Sequence, residues 1–256
     1  VETSPRDQVQ PRVQTQLYPK AGDPVDVDRP VIFEAASGKR IDVPTALFAN
    51  PYELSPPQFR ADGRTLAFRF VERGFQRVRL IEVDARTGAA RTVVEERSDT
   101  FVNSWWYRAE FHDIGNAGRQ IVWQSERDGW NHLYMVDGAS GRLRQLTRGP
   151  WAVRGIVKVD EARRQIWFAA NGREAGDPYM QHFYRVDFDG SGLKHMTPGD
   201  GWHELSLSPD LGHYVDTYSR LDQPNITELR DARDGRLLET LERGDARCSS
   251  LVGRTE

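Results

Sequence analysis

The chain has 256 residues, 38% of them hydrophobic and 29% charged, enough for one large all-β domain or two ordinary domains. A formal net charge of −3 excludes the basic excess of a nucleic-acid binder. The lone Cys248 excludes an intrachain disulfide, and no apolar run approaches the roughly 18 residues that span a membrane.

Aromatic residues make up 10% of the chain, including 7 Trp, which suits many small packed sheets better than one thick core. Among the cations only Lys20, Lys39, Lys158 and Lys194 are lysines. That arginine bias reads as a GC-rich bacterial genome. The chain opens on Val1 with a polar stretch and no secretory leader. It is therefore expected to be part of a longer parent, for which a periplasmic or secreted location is favoured over a cytoplasmic one.

In chain order, Val31 to Val43 reads as two strands around a Ser37-Gly38-Lys39 turn. The next unit starts near Gln58-Phe59 and turns at Ala61-Asp62-Gly63-Arg64. Strands follow over Thr65 to Phe70, Gln76 to Asp84 and Ala90 to Glu95. The order then recurs. A start near Phe111 precedes a turn at Asn116-Ala117-Gly118, strands Gln120 to Ser125 and Asn131 to Asp137, and a closing strand Leu143 to Thr147. A third unit has strands Gln165 to Ala170, Gln181 to Phe188 and Lys194 to Thr197. A fourth starts at His203, with turns at Ser208 to Gly212 and at Asp234-Gly235-Arg236.

The first turns of the four units fall roughly 55, 45 and 48 residues apart. Gln145-Leu146-Thr147 and His195-Met196-Thr197 close two successive units alike. Four antiparallel strands repeated at this period define propeller blades. A β-sandwich, the plainer alternative, has no reason to repeat one turn order four times. The expected fold is all-β: a partial β-propeller of about four and a half blades out of eight. The half blade runs over 18–48, and the blades over 52–97, 100–147, 152–198 and 203–243.

Three stretches resemble the propeller of the dipeptidyl peptidase IV family of serine peptidases. Tyr18-Pro19-Lys20-Ala21-Gly22 is similar to the family's Tyr-Pro-x-Ala-Gly segment. Ser125-Glu126-Arg127-Asp128-Gly129-Trp130-Asn131-His132-Leu133-Tyr134 is similar to its Ser-Glu-Arg-Asp-Gly-aromatic-x-His-Leu-Tyr strand pair. Leu146-Thr147-Arg148-Gly149-Pro150-Trp151-Ala152-Val153 is similar to a Leu-Thr-x-Gly-x-Trp-x-Val blade junction. The resemblance implies an eight-bladed propeller capping an α/β-hydrolase domain, in a parent that releases X-Pro or X-Ala dipeptides. Acyl transfer would run through a Ser-His-Asp triad. No catalytic residue is assigned here, because the chain contains no Gly-x-Ser-x-Gly elbow. The family's paired amine-binding glutamates would fall before Val1.

The resemblance also implies that the segment entering a blade from Phe101 to Arg108 reaches the substrate cavity. Trp105, Trp106 and Arg108 are the substrate-binding candidates, where animal members place Arg and Phe. Packing of both Trp side chains between blades is the competing reading. Implied partners are a peptide substrate, the hydrolase domain of the parent and a second copy in a homodimer. No cofactor, metal, nucleic acid or membrane span is implied.

The remaining candidates read as structural. None of His112, His132, His182, His195, His203 and His213 has metal-ligand spacing. His132 is expected to hydrogen-bond between strands. Glu95-Glu96 reads as a solvated pair at the end of an outer strand, and Asp177 and Asp189 read as turn caps. Arg173 and Glu174 lie in a long loop, read as plain surface or as a contact with the hydrolase domain or another subunit. Asn225-Ile226-Thr227 matches a glycosylation sequon by chance. Two other functional classes stay open: a non-enzymatic propeller interaction module, and the propeller of a prolyl oligopeptidase or acylaminoacyl peptidase.

Overall fold

A computed structural model describes residues 2–245 except 5, 14, 16, 19, 24 and 104–110. Trp105, Trp106 and Arg108 therefore lie outside the described residues. Among the described residues there is no α-helix, only strands and two short 3-10 turns at Ala46–Phe48 and Ile114–Asn116.

The N-terminal part holds two small antiparallel pairs, β1 (Glu2–Thr3) with β2 (Arg12–Val13) and β3 (Ile32–Phe33) with β4 (Arg40–Ile41). Next comes a sheet of β5 (Pro51–Leu54), β6 (Gln58–Phe59), β7 (Thr65–Glu72), β8 (Arg77–Asp84) and β9 (Ala90–Arg97). The sequence indicated one short starting strand here, but β5 and β6 both pair with β7. Pro56 and Pro57 lie between them and lack the N–H groups a continuous ladder needs, so the inner strand is split in two.

Three four-stranded antiparallel meanders follow. The first is β10 (His112–Asp113), β11 (Gln120–Ser125), β12 (His132–Asp137) and β13 (Leu143–Gln145). The second is β14 (Ala152–Asp160), β15 (Gln165–Asn171), β16 (Gln181–Asp187) and β17 (Lys194–His195). The third is β18 (Trp202–Leu207), β19 (His213–Arg220), β20 (Gln223–Asp231) and β21 (Leu237–Arg243).

Alternation along each strand sends side chains to both faces, and the facing surfaces of successive sheets pack together. Val78, Leu80 and Val94 meet Ile121, Trp123 and Val136. Val122, Leu133 and Met135 meet Val153, Phe168 and Tyr184. Trp167 and Met196 meet Tyr214 and Ala232. Ile32 and Val43 pack on the cluster of Phe48, Phe68 and Ile81, so the short ribbon covers the outer face of the first large sheet. All-β structure with successive four-stranded antiparallel sheets stacked in this way is a partial β-propeller.

Polar contacts repeat at the same period. Arg91 donates to the Gly138 carbonyl at 2.7 Å, Arg144 to Phe188 at 2.9 Å and Arg185 to Ala232 at 2.7 Å. Each arginine reaches into the neighbouring sheet. The threonines that close two units have one job: Thr147 Oγ1 accepts the Leu133 N–H at 3.0 Å, and Thr197 Oγ1 accepts that of Phe183 at 2.8 Å. Arg60 is buried and ion-pairs with Glu82 and with Asp113 of the next sheet, both at 2.6 Å. The neighbouring turns pack so closely that a Cβ on Gly138 would lie 1.7 Å from the Gly118 carbonyl oxygen.

The turn aspartates act as backbone caps. Asp62 accepts the N–H groups of Arg64 and Thr65, each at 2.8 Å. Its carboxyl is held at about 2, first by the Thr65 hydroxyl and then by those N–H groups. Asp189 is held low in the same way, first by the Ser191 hydroxyl, and Asp177 accepts the Tyr179 N–H at 2.9 Å.

Candidate functional site

In a four-stranded meander the middle turn and the exit to the next sheet lie at one end. The other two turns lie at the opposite end. The first end therefore gathers residues 98–103 and the 126–131 and 172–180 loops. A cavity of about 550 Å³ opens there, between the sheet ending in β9 and the one containing β11 and β12. Its walls include Arg97, Phe101, Asn103, Gln124, Glu126 and Asn131. Phe101, Val102 and Asn103 thus line this cavity.

Glu96 fixes the cavity's geometry, and here the structure corrects the expectation of a solvated glutamate pair. Glu96 is buried at 9% exposure. It accepts Trp123 Nε1–H at 2.7 Å, the Ser125 hydroxyl at 2.8 Å and the Arg127 guanidinium. Arg127 Nε–H also donates to Ser125 Oγ at 2.7 Å, and its guanidinium lies over the Tyr134 ring at 5.3 Å. Glu95 faces its own sheet instead, paired with Arg79 and Arg77. The signal was present in the sequence: adjacent strand residues point to opposite faces, so one glutamate of the pair had to meet the neighbouring sheet.

On the other wall, Asn131 joins two sheets. Its Nδ2 donates to the Val153 carbonyl at 2.7 Å and to Gln124 Oε1 at 3.2 Å. Gln124 is buried, and its Nε2 has no hydrogen-bond partner among the described residues. Glu126, at the turn, has a carboxyl raised above its usual value by burial first and by the Glu96 charge second.

The six histidines behave differently from one another. His132 is fully buried, with Nδ1 3.0 Å from Thr147 Oγ1 and Nε2 3.0 Å from the Gly149 carbonyl. Its ring edge meets Trp151 at 4.7 Å. This is the interstrand role expected for it. His182, His195 and His203 are brought together, which their spacing did not indicate: ring centroids lie 5.0 Å apart for the first two and 4.9 Å for His182 and His203. His203 is held between Asp216 at 2.7 Å and the Gly199 carbonyl at 2.8 Å. Burial pushes His195 down to about 4, against the opposing pull of Glu174. Glu174 in turn accepts the Tyr184 hydroxyl at 3.1 Å and pairs with Arg173 at 2.8 Å. Among the described residues no group of His, Cys, Asp and Glu has the geometry to hold a metal ion. No helix among them is long and apolar enough to cross a membrane.

Comparison with known proteins bears on this geometry. The family model for the dipeptidyl peptidase IV (DPP IV) N-terminal region matches residues 1–225. The chain belongs to this family. A probable dipeptidyl peptidase 4 of Trichophyton verrucosum is 24% identical over 250 residues, covering 94% of this chain and 32% of that protein. The dipeptidyl peptidase 4 of Arthroderma otae is 27% identical over 190 residues, covering 70% of this chain and 24% of that protein. The chain thus spans about a third or less of the curated relatives it matches. Among solved structures, Porphyromonas gingivalis dipeptidyl peptidase 4 superposes with a TM-score of 0.66 at 22% identity, over 83% of this chain and 29% of that one. A putative dipeptidyl aminopeptidase IV from Bacteroides ovatus gives 0.63 at 22% identity, over 83% and 32%. These likenesses show the shared propeller fold. They reach fungi and bacteria alike, so they do not single out the bacterial origin that the arginine bias pointed to.

Proposed function

We propose that this chain is the propeller portion of a serine-type dipeptidyl peptidase releasing N-terminal X-Pro and X-Ala dipeptides, and that its cavity end gates and lines the route to the chemistry. The observation that carries this reading is the family match over residues 1–225. The cavity beside β9 supports it, because Phe101, Val102 and Asn103 line one wall. In this reading Trp105, Trp106 and Arg108 continue that wall and contact the peptide. The Trp rings supply apolar surface, and Arg108 supplies donors for peptide carbonyls. The nucleophile, its base and the oxyanion donors belong to an α/β-hydrolase domain elsewhere in the longer protein, and a homodimer is compatible with this arrangement.

The test uses both forms of the protein. The 256-residue chain alone should not turn over Gly-Pro-nitroanilide, since it has no nucleophile elbow. The longer protein should release X-Pro dipeptides and lose that activity to a serine-directed inhibitor. Changing Trp105 and Trp106 together to Ala should raise its Michaelis constant severalfold with the fold intact. Unchanged kinetics would remove both residues from the site. An inert longer protein that still binds peptides would favour the interaction-module alternative.

A further inference from the structure

The cavity between β9 and the β11–β12 turn holds two carboxylates in different situations. Glu96 is committed to Trp123, Ser125 and Arg127. Glu126 lines the same cavity with no ion-pair or side-chain hydrogen-bond partner among the described residues. Glu126 is exposed at the turn, so its carboxylate stands open to a cation entering the cavity. Two donors of the same cavity, Gln124 and Arg97, are also uncommitted among the described residues. Gln124 Nε2 is buried without an acceptor among the described residues. Arg97 lines the wall with no side-chain partner among the described residues. Phe101, also on the wall, keeps about half its surface exposed at 48%.

We propose that this recess is a subsite for a basic residue of a bound peptide: Glu126 takes the ammonium or guanidinium, while Gln124 and Arg97 donate to neighbouring peptide carbonyls. The buried Gln124 amide then finds the acceptor it lacks among the described residues, and the exposed Glu126 and Arg97 exchange water for peptide groups. The aliphatic stem of a lysine or arginine packs along Phe101 while its charged tip reaches the carboxylate. Glu96 acts as a positioning residue, because its bonds to Ser125 and Arg127 hold the turn that carries Glu126. The histidine trio is a weaker candidate for a ligand site, since its nitrogens face Thr197, Glu174, Asp216 and Gly199.

This subsite rests on the reading that peptides are the ligands of this end of the propeller. The test therefore measures binding rather than hydrolysis. N-acetylated, C-amidated peptides identical except for one lysine or norleucine are titrated into the 256-residue chain by calorimetry. The lysine peptide should bind about fivefold more tightly, at the upper range of a partly exposed ion pair, with the preference shrinking as salt rises. Glu126→Gln should abolish the preference and leave norleucine-peptide binding unchanged. Glu242→Gln, on the distant β21, should leave the preference intact. Circular dichroism and the thermal midpoint verify that each variant folds. Equal binding of both peptides, a preference that survives Glu126→Gln, or no binding of the lysine peptide at millimolar concentration would overturn the proposal. A Glu126-dependent preference in a longer protein that releases no dipeptides would leave the subsite standing and sink the peptidase reading.

Discussion

At Glu96 a single carboxylate answers three donors of the neighbouring sheet: an indole N–H, a hydroxyl and a guanidinium. Removing it strands Trp123 Nε1–H and Ser125 Oγ–H in a buried setting. Glu96→Ala should therefore destabilise the fold by about 2–3 kcal/mol, the range for a lost acceptor among buried donors. Glu96→Gln keeps an acceptor and should cost less. Urea denaturation measures both, and equal stability of Glu96→Ala and the parent would refute the assignment. The same alternation that turns Glu96 inward turns Glu95 toward Arg79. A pair that looked uniform in the sequence thus has one structural and one peripheral member.

Within and between sheets, function depends on which side chains the ladders bring opposite one another. His182 and His195 lie on adjacent strands β16 and β17, and His203 lies on the next sheet. The junction forms only once both pairings exist. His195 has its proton affinity depressed to about 4, chiefly by burial, and His182 is depressed in the same direction. The groups facing His195 are Glu174, Arg173, His182 and His203. The folded state therefore binds fewer protons than the unfolded chain below an ordinary histidine value near 6.5. Stability from this junction should be fully present above about 6.5 and fall as pH drops toward 4. The urea midpoint at pH 7.5, 6 and 5 should decline in that window. Changing His195 to Gln removes one titrating group and should flatten the decline. An equally steep profile in that variant would refute the role of His195.

Across the molecule, each sheet is stabilised chiefly by its two neighbours, so perturbations should spread locally. Trp151 shows this. It touches His132 of one sheet and lies against Phe168 and Tyr184 of the next, with centroids 4.7, 6.2 and 6.2 Å away. Trp151→Ala should cost about 3–5 kcal/mol. Hydrogen exchange should rise in β10–β13 and β14–β17 more than in β5–β9, whereas a uniform rise would mean the sheets melt as one unit. Much of this architecture was legible beforehand, because turn chemistry and strand alternation are local. Asp-Gly and Ser-Gly turns at a near-constant period define four-stranded units, and Thr147 and Thr197 close two of them by one backbone contact. The split inner strand was also written locally, in Pro56-Pro57, although only its Gln58–Phe59 half was expected as a strand and Pro51–Leu54 was not. The sequence by itself thus determined the repeat, the strand class and the family likeness. Only the tertiary structure decided which polar groups meet across the seams. Glu96 with Trp123, Arg60 with Glu82 and Asp113, and the histidine trio join residues from different strands or sheets. Such contacts depend on how one sheet stacks on the next, and no short stretch of sequence encodes that stacking.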